Sequence, residues 1–143
     1  MAEPFAEFLR ASLDAVRRDA PLSARAVAAA LGATAVELAV DGERMVVRAC
    51  PEVVVEPAGG AVRPTVHVAT SARALLALLA GGDELYPAIV ANRVRVRAAA
   101  GEAVRLFDAM RSFVEGCART AAAPELLATF RRRAEANHDR RRT

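Results

Sequence analysis

From Thr34 the side chains adopt a period of two: Val36, Leu38 and Val40 point one way, and Ala35, Glu37 and Ala39 the other. This is the pattern of a strand with one buried face. Asp41-Gly42 follows, a pair that tolerates the positive φ angles of a two-residue type I′ turn, and Met45, Val47 and Ala49 then resume the alternation. A hairpin over this stretch restricts the fold more than any other feature. Its two strands are antiparallel neighbours, and their apolar faces need a cover.

Val53-Val54-Val55 is a third β-branched run, Ala58-Gly59-Gly60 reads as a turn, and Thr65 to Thr70 is a fourth strand with Val66 and Val68 on one face. The fourth strand leads into a helix over 71–80, with Ser71 as its cap and Gly81-Gly82 as its terminator. Its leucines, Leu75, Leu76, Leu78 and Leu79, cover more than one face, as expected of a buried or cavity-lining helix. Asp83 can cap a short helix carrying Leu85, Tyr86, Ile89 and Val90, with Pro87 near its first turn. Asn92 breaks that helix, and Val94 and Val96 alternate with Arg93, Arg95 and Arg97 as a fifth strand with one wet face.

Helices flank these strands. Phe5, Phe8, Leu9, Ser12, Leu13 and Val16 fall on one stripe of an amphipathic helix. Pro21 ends it or opens the next, for which Ser23 is a plausible cap and Gly32 a stop. After Gly101 a longer helix is expected to turn Val104, Leu106, Phe107, Met110, Phe113 and Val114 inward, and Leu126, Leu127 and Phe130 give a last helix a weak apolar stripe.

A chain of 143 residues is the size of one domain with one core. Apolar residues make up 54% of it, but no uncharged stretch approaches the roughly 20 residues of a membrane span. Stable membrane insertion is therefore not expected. The N-terminus lacks the basic and apolar regions of a secretory signal, which makes a cytoplasmic location the expectation. Every basic residue is arginine, and alanine is abundant; this reads as the codon bias of a GC-rich, bacterial genome. Residues 1–123 hold 14 Arg and 14 acids, so the net charge of +3 resides in 124–143, with 6 Arg and 3 acids. We therefore read 1–130 as the folded domain and 131–143 as a basic tail. Arg131, Arg132 and Arg133 could make a weak contact with an anionic surface.

The residues that carry chemistry are few. Cys50 and Cys117 have no zinc spacing and read as small core residues. His67 sits mid-strand opposite Val66 and Val68, and His138 lies in the tail, so neither histidine suggests a metal site. The chain has no G-x-S-x-G elbow, phosphate loop or dinucleotide turn. Tyr86 would lie among leucines with its hydroxyl satisfied. No strand carries an aromatic residue, which removes a stacking platform for single-stranded nucleic acid. No catalytic residue, metal or cofactor is assigned.

The run Val66-His67-Val68-Ala69-Thr70-Ser71, then Leu75, Leu78, Leu79 and Gly81, then Ile89, Asn92-Arg93-Val94-Arg95-Val96 and Leu106-Phe107 resembles the sterol carrier protein type two family. The likeness covers Thr34 to Val114. Asn92 stands where that family has glycine, and Ala99-Ala100-Gly101-Glu102 replaces its tight Gly-Asp. The resemblance implies an α+β domain with a twisted, mainly antiparallel five-stranded sheet, helices packed on one face and an apolar cavity between. Carried over by position, the lining would come from Val66, Val68, Leu75, Leu79, Leu85, Ile89, Val90, Phe107, Met110, Phe113 and Val114, with Tyr86 beside them.

Two functions follow as expectations. The first is capture of a hydrophobic small molecule, such as a lipid, fatty acyl chain, sterol or polyketide-like metabolite, by a carrier or substrate-presenting protein. The second is a small cyclase or isomerase of a biosynthetic pathway, working on a substrate held in the cavity. Docking through the basic tail would need no cavity at all. The sequence leaves monomer and homodimer open.

Overall fold

The computed structural model describes residues 3–79, 87, 89 and 91–142. Helix α1 spans Pro4–Asp19, with proline in the first turn where its missing amide costs nothing. Its expected stripe, from Phe5 to Val16, is buried. Helix α2, Pro21–Leu31, follows after Ala20 and stops at Gly32. Ser23 is not its cap: the helix already begins at Pro21, and Ser23 is buried within its first turn.

Strands β1 (Val36–Val40), β2 (Glu43–Ala49) and β3 (Val53–Pro57) form an antiparallel meander. Val40 pairs with Glu43 across Asp41 (φ 49°) and Gly42 (φ 88°), the predicted two-residue turn with both residues left-handed. Strand β4 (Val66–Thr70) lies on the other side of β1 and runs parallel to it, and β5 (Val94–Arg97) pairs antiparallel with β4. The order is β3-β2-β1-β4-β5, a mixed sheet with one parallel seam. Asn92 takes φ 59°, a left-handed conformation that asparagine tolerates.

Helix α3, Ala72–Leu79, begins where the sequence places it: the Ala74 amide donates to Ser71 Oγ at 3.0 Å. Helix α4 runs Ala100–Ala118, so Gly101 lies inside its first turn instead of before it. Helix α5 spans Ala123–Arg142 and continues through the boundary expected at residue 130. Ala134 packs on the core and Arg133 is ion-paired with Glu7, while Arg131 and Arg132 are exposed.

The α+β architecture thus has one face of the sheet under helices. Val36, Val40, Val66, Val68 and Val94 share a core with Phe5, Phe8, Leu9, Leu31 and Leu106. The alternate positions carry Glu37, Arg44, Arg48, His67, Arg95 and Arg97. Val46 lies on this second face yet is only 3% exposed. Its cross-strand partners are Glu37 and Glu56, which pair with its own neighbours Arg44 (3.0 Å) and Arg48 (2.6 Å), so four charged side chains surround one valine.

Two expectations about burial are corrected. Val104 and Val114 are 58% and 49% exposed, because the inner side of α4 centres on Leu106, Ala109 and Gly116. Cys50 is exposed, not a core residue, whereas Cys117 is half-buried.

Candidate functional site

Between the sheet and the helices lies an apolar pocket of about 150 Å³. Its floor is the covered face: Val36, Leu38 and Val40 of β1, Val47 of β2, Val53 of β3, Val68 and Thr70 of β4, and Val94 of β5. Alternation along each strand delivers these side chains to one side. The roof comes from Phe5, Phe8, Leu9 and Leu13 of α1, Val27 and Leu31 of α2, Leu75, Leu78 and Leu79 of α3, and a stretch of α4 from Leu106 to Val114. Thr70 is the only polar side chain among the described lining residues.

Particular contacts hold the roof in place. Phe130 of α5 stacks on Phe8 with centroids 4.9 Å apart and meets Phe5 at 5.7 Å, which backs the N-terminal half of α1. The hairpin turn holds two helices at once. Glu43 accepts the amides of Phe5 (3.0 Å) and Ala6 (3.3 Å), capping α1, and Asp41 accepts the Ala72 amide at 3.0 Å, capping α3. Burial pushes the Glu43 carboxyl above its usual range, and the two amides oppose that shift. At the far corner α1, α2 and α4 cross at Gly116. A Cβ there would fall 2.7 Å from Val16 Cγ1 and 3.0 Å from Ser23 Cβ, so only glycine lets the backbones approach. Thr120 Oγ1 ties the same corner to Asp19 at 2.5 Å.

Of the residues expected to line a cavity, Val68, Leu75, Leu79, Met110, Phe113 and Val114 do border the pocket. Val66 is wholly buried in the core beside it, and Ile89 and Phe107 pack on that core without lining the space. Leu85, Tyr86 and Val90 lie outside the described residues, as do Gly81, Gly82 and the short helix expected after Asp83. The contribution of α1, α2 and β1 to the lining was not anticipated. Their apolar stripes mark them as core, but periodicity does not distinguish a filled core from a hollow one.

Chemically the pocket offers van der Waals contact and little else. Among the described residues no group of three acidic, His or Cys side chains could hold a metal, and no buried side-chain polar atom lacks a partner. His67 faces the opposite side of the sheet, with Nδ1 3.4 Å from Glu37. Burial pushes the Cys117 thiol up to about 11, so it is protonated at neutral pH. Among the described residues no helix is long and apolar enough to cross a membrane.

No family model and no curated protein matches the sequence. Solved structures do match. The sterol carrier protein domain 2 of Helicoverpa armigera superposes with a TM-score of 0.57 at 18% identity, covering 76% of this chain and 87% of that one. A ubiquinone synthesis protein, UbiJ-SCP2, does so with a TM-score of 0.53 at 17% identity, covering 71% and 83% respectively. The chain therefore has a fold similar to sterol carrier protein domain 2.

Proposed function

We propose that this protein binds a hydrophobic small molecule non-covalently in the pocket between sheet and helices, as a carrier or substrate-presenting protein. The lining carries the reading: side chains from four helices and five strands converge on one space, and Thr70 alone among those described is polar. An apolar space of this kind has nothing to offer water, which needs two or more polar partners. Each methylene moved into it from solvent contributes about 0.8 kcal/mol. The fold is shared with a sterol carrier domain and a ubiquinone synthesis protein, and sterols and ubiquinone are both apolar. Lipids, acyl chains, sterols and polyketide-like metabolites belong to the same class. A cyclase or isomerase would need an acid or base facing its substrate, and the described lining supplies only the Thr70 hydroxyl.

Leu79 lines the pocket near the end of α3 and provides the test. Wild type is expected to bind a fluorescent fatty acid, and native mass spectrometry of the purified protein should reveal a co-purifying apolar molecule. Leu79→Trp should displace the probe while leaving the melt nearly unchanged, because the indole enters ligand volume. If wild type binds no probe and the variant loses about 1–3 kcal/mol by overpacking, the core is solid and the reading fails.

A further inference from the structure

We propose that the free edge of β5 takes up an extended acidic segment of a partner protein as an added strand, with its carboxylates at alternate positions. This surface belongs to the open face of the sheet and stands whether or not the apolar pocket holds a ligand.

The two sides of the open face differ in how their charges are met. On the β1–β2–β3 side each arginine has a carboxylate: Arg44 donates to Glu37 at 3.0 Å, and Arg48 to Glu56 at 2.6 Å. On the β4–β5 side Arg95 stands opposite Ala69, and Arg97 opposite His67. Glu37, which reaches His67, already accepts from Arg44. Both Arg95 and Arg97 are exposed, and among the described residues neither is paired with a carboxylate. Exposed Arg73 of α3 is likewise unpaired among them, and with Arg93 and Arg95 it borders a groove of about 660 Å³ at the Asn92 end of β5. No carboxylate is among the described residues of that groove.

Strand β5 stands last in the sheet order, and among the described residues no backbone bond reaches its outer edge. Such an edge is a template on which another chain can pair through its main chain. Alternate residues of any strand lie about 7 Å apart, so acids at every second position of an added strand keep pace with Arg95 and Arg97. A segment that continues past Asn92 brings a further acid to Arg73. Its intervening side chains turn to the covered face beside Val94 and half-buried Val96, which calls for apolar residues there. A second copy of β5 fails this requirement, because pairing it with the first sets arginine against arginine. Single-stranded nucleic acid has no strand backbone to pair and finds no aromatic side chain on this face to stack on. Arginines that merely blunt a sheet edge account for β5, but not for Arg73 on a helix.

Fluorescence anisotropy with a labelled peptide alternating glutamate and valine tests this on the full chain. Wild type should bind it on the order of tenfold more tightly than a peptide of the same composition with its glutamates in one block. Full N-methylation of the alternating peptide keeps its charge and removes its amide donors, and should abolish binding. Arg95→Glu/Arg97→Glu should lose the peptide, and Ala69→Asp, which supplies Arg95 with a carboxylate from within the sheet, should weaken it. Arg25→Glu/Arg111→Glu makes the same change in net charge on exposed faces of α2 and α4 and should bind as wild type does. Equal binding of the block or N-methylated peptide would mean charge attraction without strand pairing and overturns the proposal. So does equal loss in the two double variants, tighter binding of oligothymidylate at the same edge, or no peptide binding by wild type, which would leave the arginines of β5 as edge protection alone.

Discussion

Val66 and His67 are neighbours in β4 and face opposite worlds. Val66 is wholly buried under the helices, within a cluster of apolar side chains from α1, α2, α4 and the sheet. His67 is opposite Arg97 and beside Glu37, on a face that carries the ion pairs Glu37–Arg44 and Glu56–Arg48 and whose groups remain partly wet. The covered face can therefore hold an unfilled volume at the cost of lost dispersion contacts alone. The open face holds together by local charge matching, each pair contributing little. Substitutions of one kind should have very different effects on the two sides of the same strands.

The sharpest contrast is Val66→Asp against Ala69→Asp, on opposite faces of β4. The first buries an uncompensated carboxylate and should cost more than about 4 kcal/mol, enough to lose the folded state. The second places a carboxylate at an exposed position opposite Arg95 and should stay within about 0.5 kcal/mol. Comparable destabilisation in chemical denaturation would erase the distinction between the faces.

An intermediate effect is expected from truncation after Phe130, which keeps the aromatic cluster under α1 and removes the rest of α5. The Arg133–Glu7 pair and the packing of Ala134 are lost, for roughly 1 kcal/mol and a few degrees in the thermal melt. Any affinity for anionic vesicles should disappear with Arg131 and Arg132. Full unfolding of the truncated chain would show that the distal half of α5 belongs to the domain and is no tail.

The smallest effect belongs to Glu37→Gln on the open face. The Arg44 guanidinium, and then His67, hold the Glu37 carboxyl below its usual value of 4.5, so ionised Glu37 stabilises the native state above that value. The contribution is lost as pH falls through the lowered value, because wild type then becomes protonated as well. Glu37→Gln should cost less than about 1 kcal/mol at neutral pH, given the exposure of Arg44, and the gap should close in acid. A gap that widens on acidification would reverse the assigned sign.

Local features of this fold were legible from the residues. The turn at Asp41-Gly42, the Ser71 cap and the backbone of Asn92 each depend on the chemistry of one or two neighbouring residues. So did the alternation that sends Val36, Val68 and Val94 to one side, and the family resemblance supplied the arrangement of sheet and helices. Contacts across long sequence separations were not legible. Nothing near Glu43 announces that it caps α1, or that Asp41 caps α3, because those partners meet only in the finished fold. Val114 reads as core by its apolar character, yet α4 turns toward α1 and α2 on Gly116, a residue with no hydropathy signal. Of the nine expected lining residues among those described, six border the pocket, and the α1 and β1 positions that also border it carry an apolar stripe that reads only as core.

The parallel seam between β1 and β4 also sets an order of events. The β1–β2 hairpin closes through a two-residue turn, on the roughly microsecond scale of hairpins. The seam joins Val36 to Val66 only after the intervening chain has looped back, a slower, non-local step. Val36 and Leu38 on one side of that seam and Val68 on the other are all floor residues, so the pocket has no existence until the seam closes. A chain arrested before that step displays a bare apolar sheet face to its neighbours, and a ligand of the proposed kind, finding its site only in the closed form, would draw the population away from that aggregation-prone species.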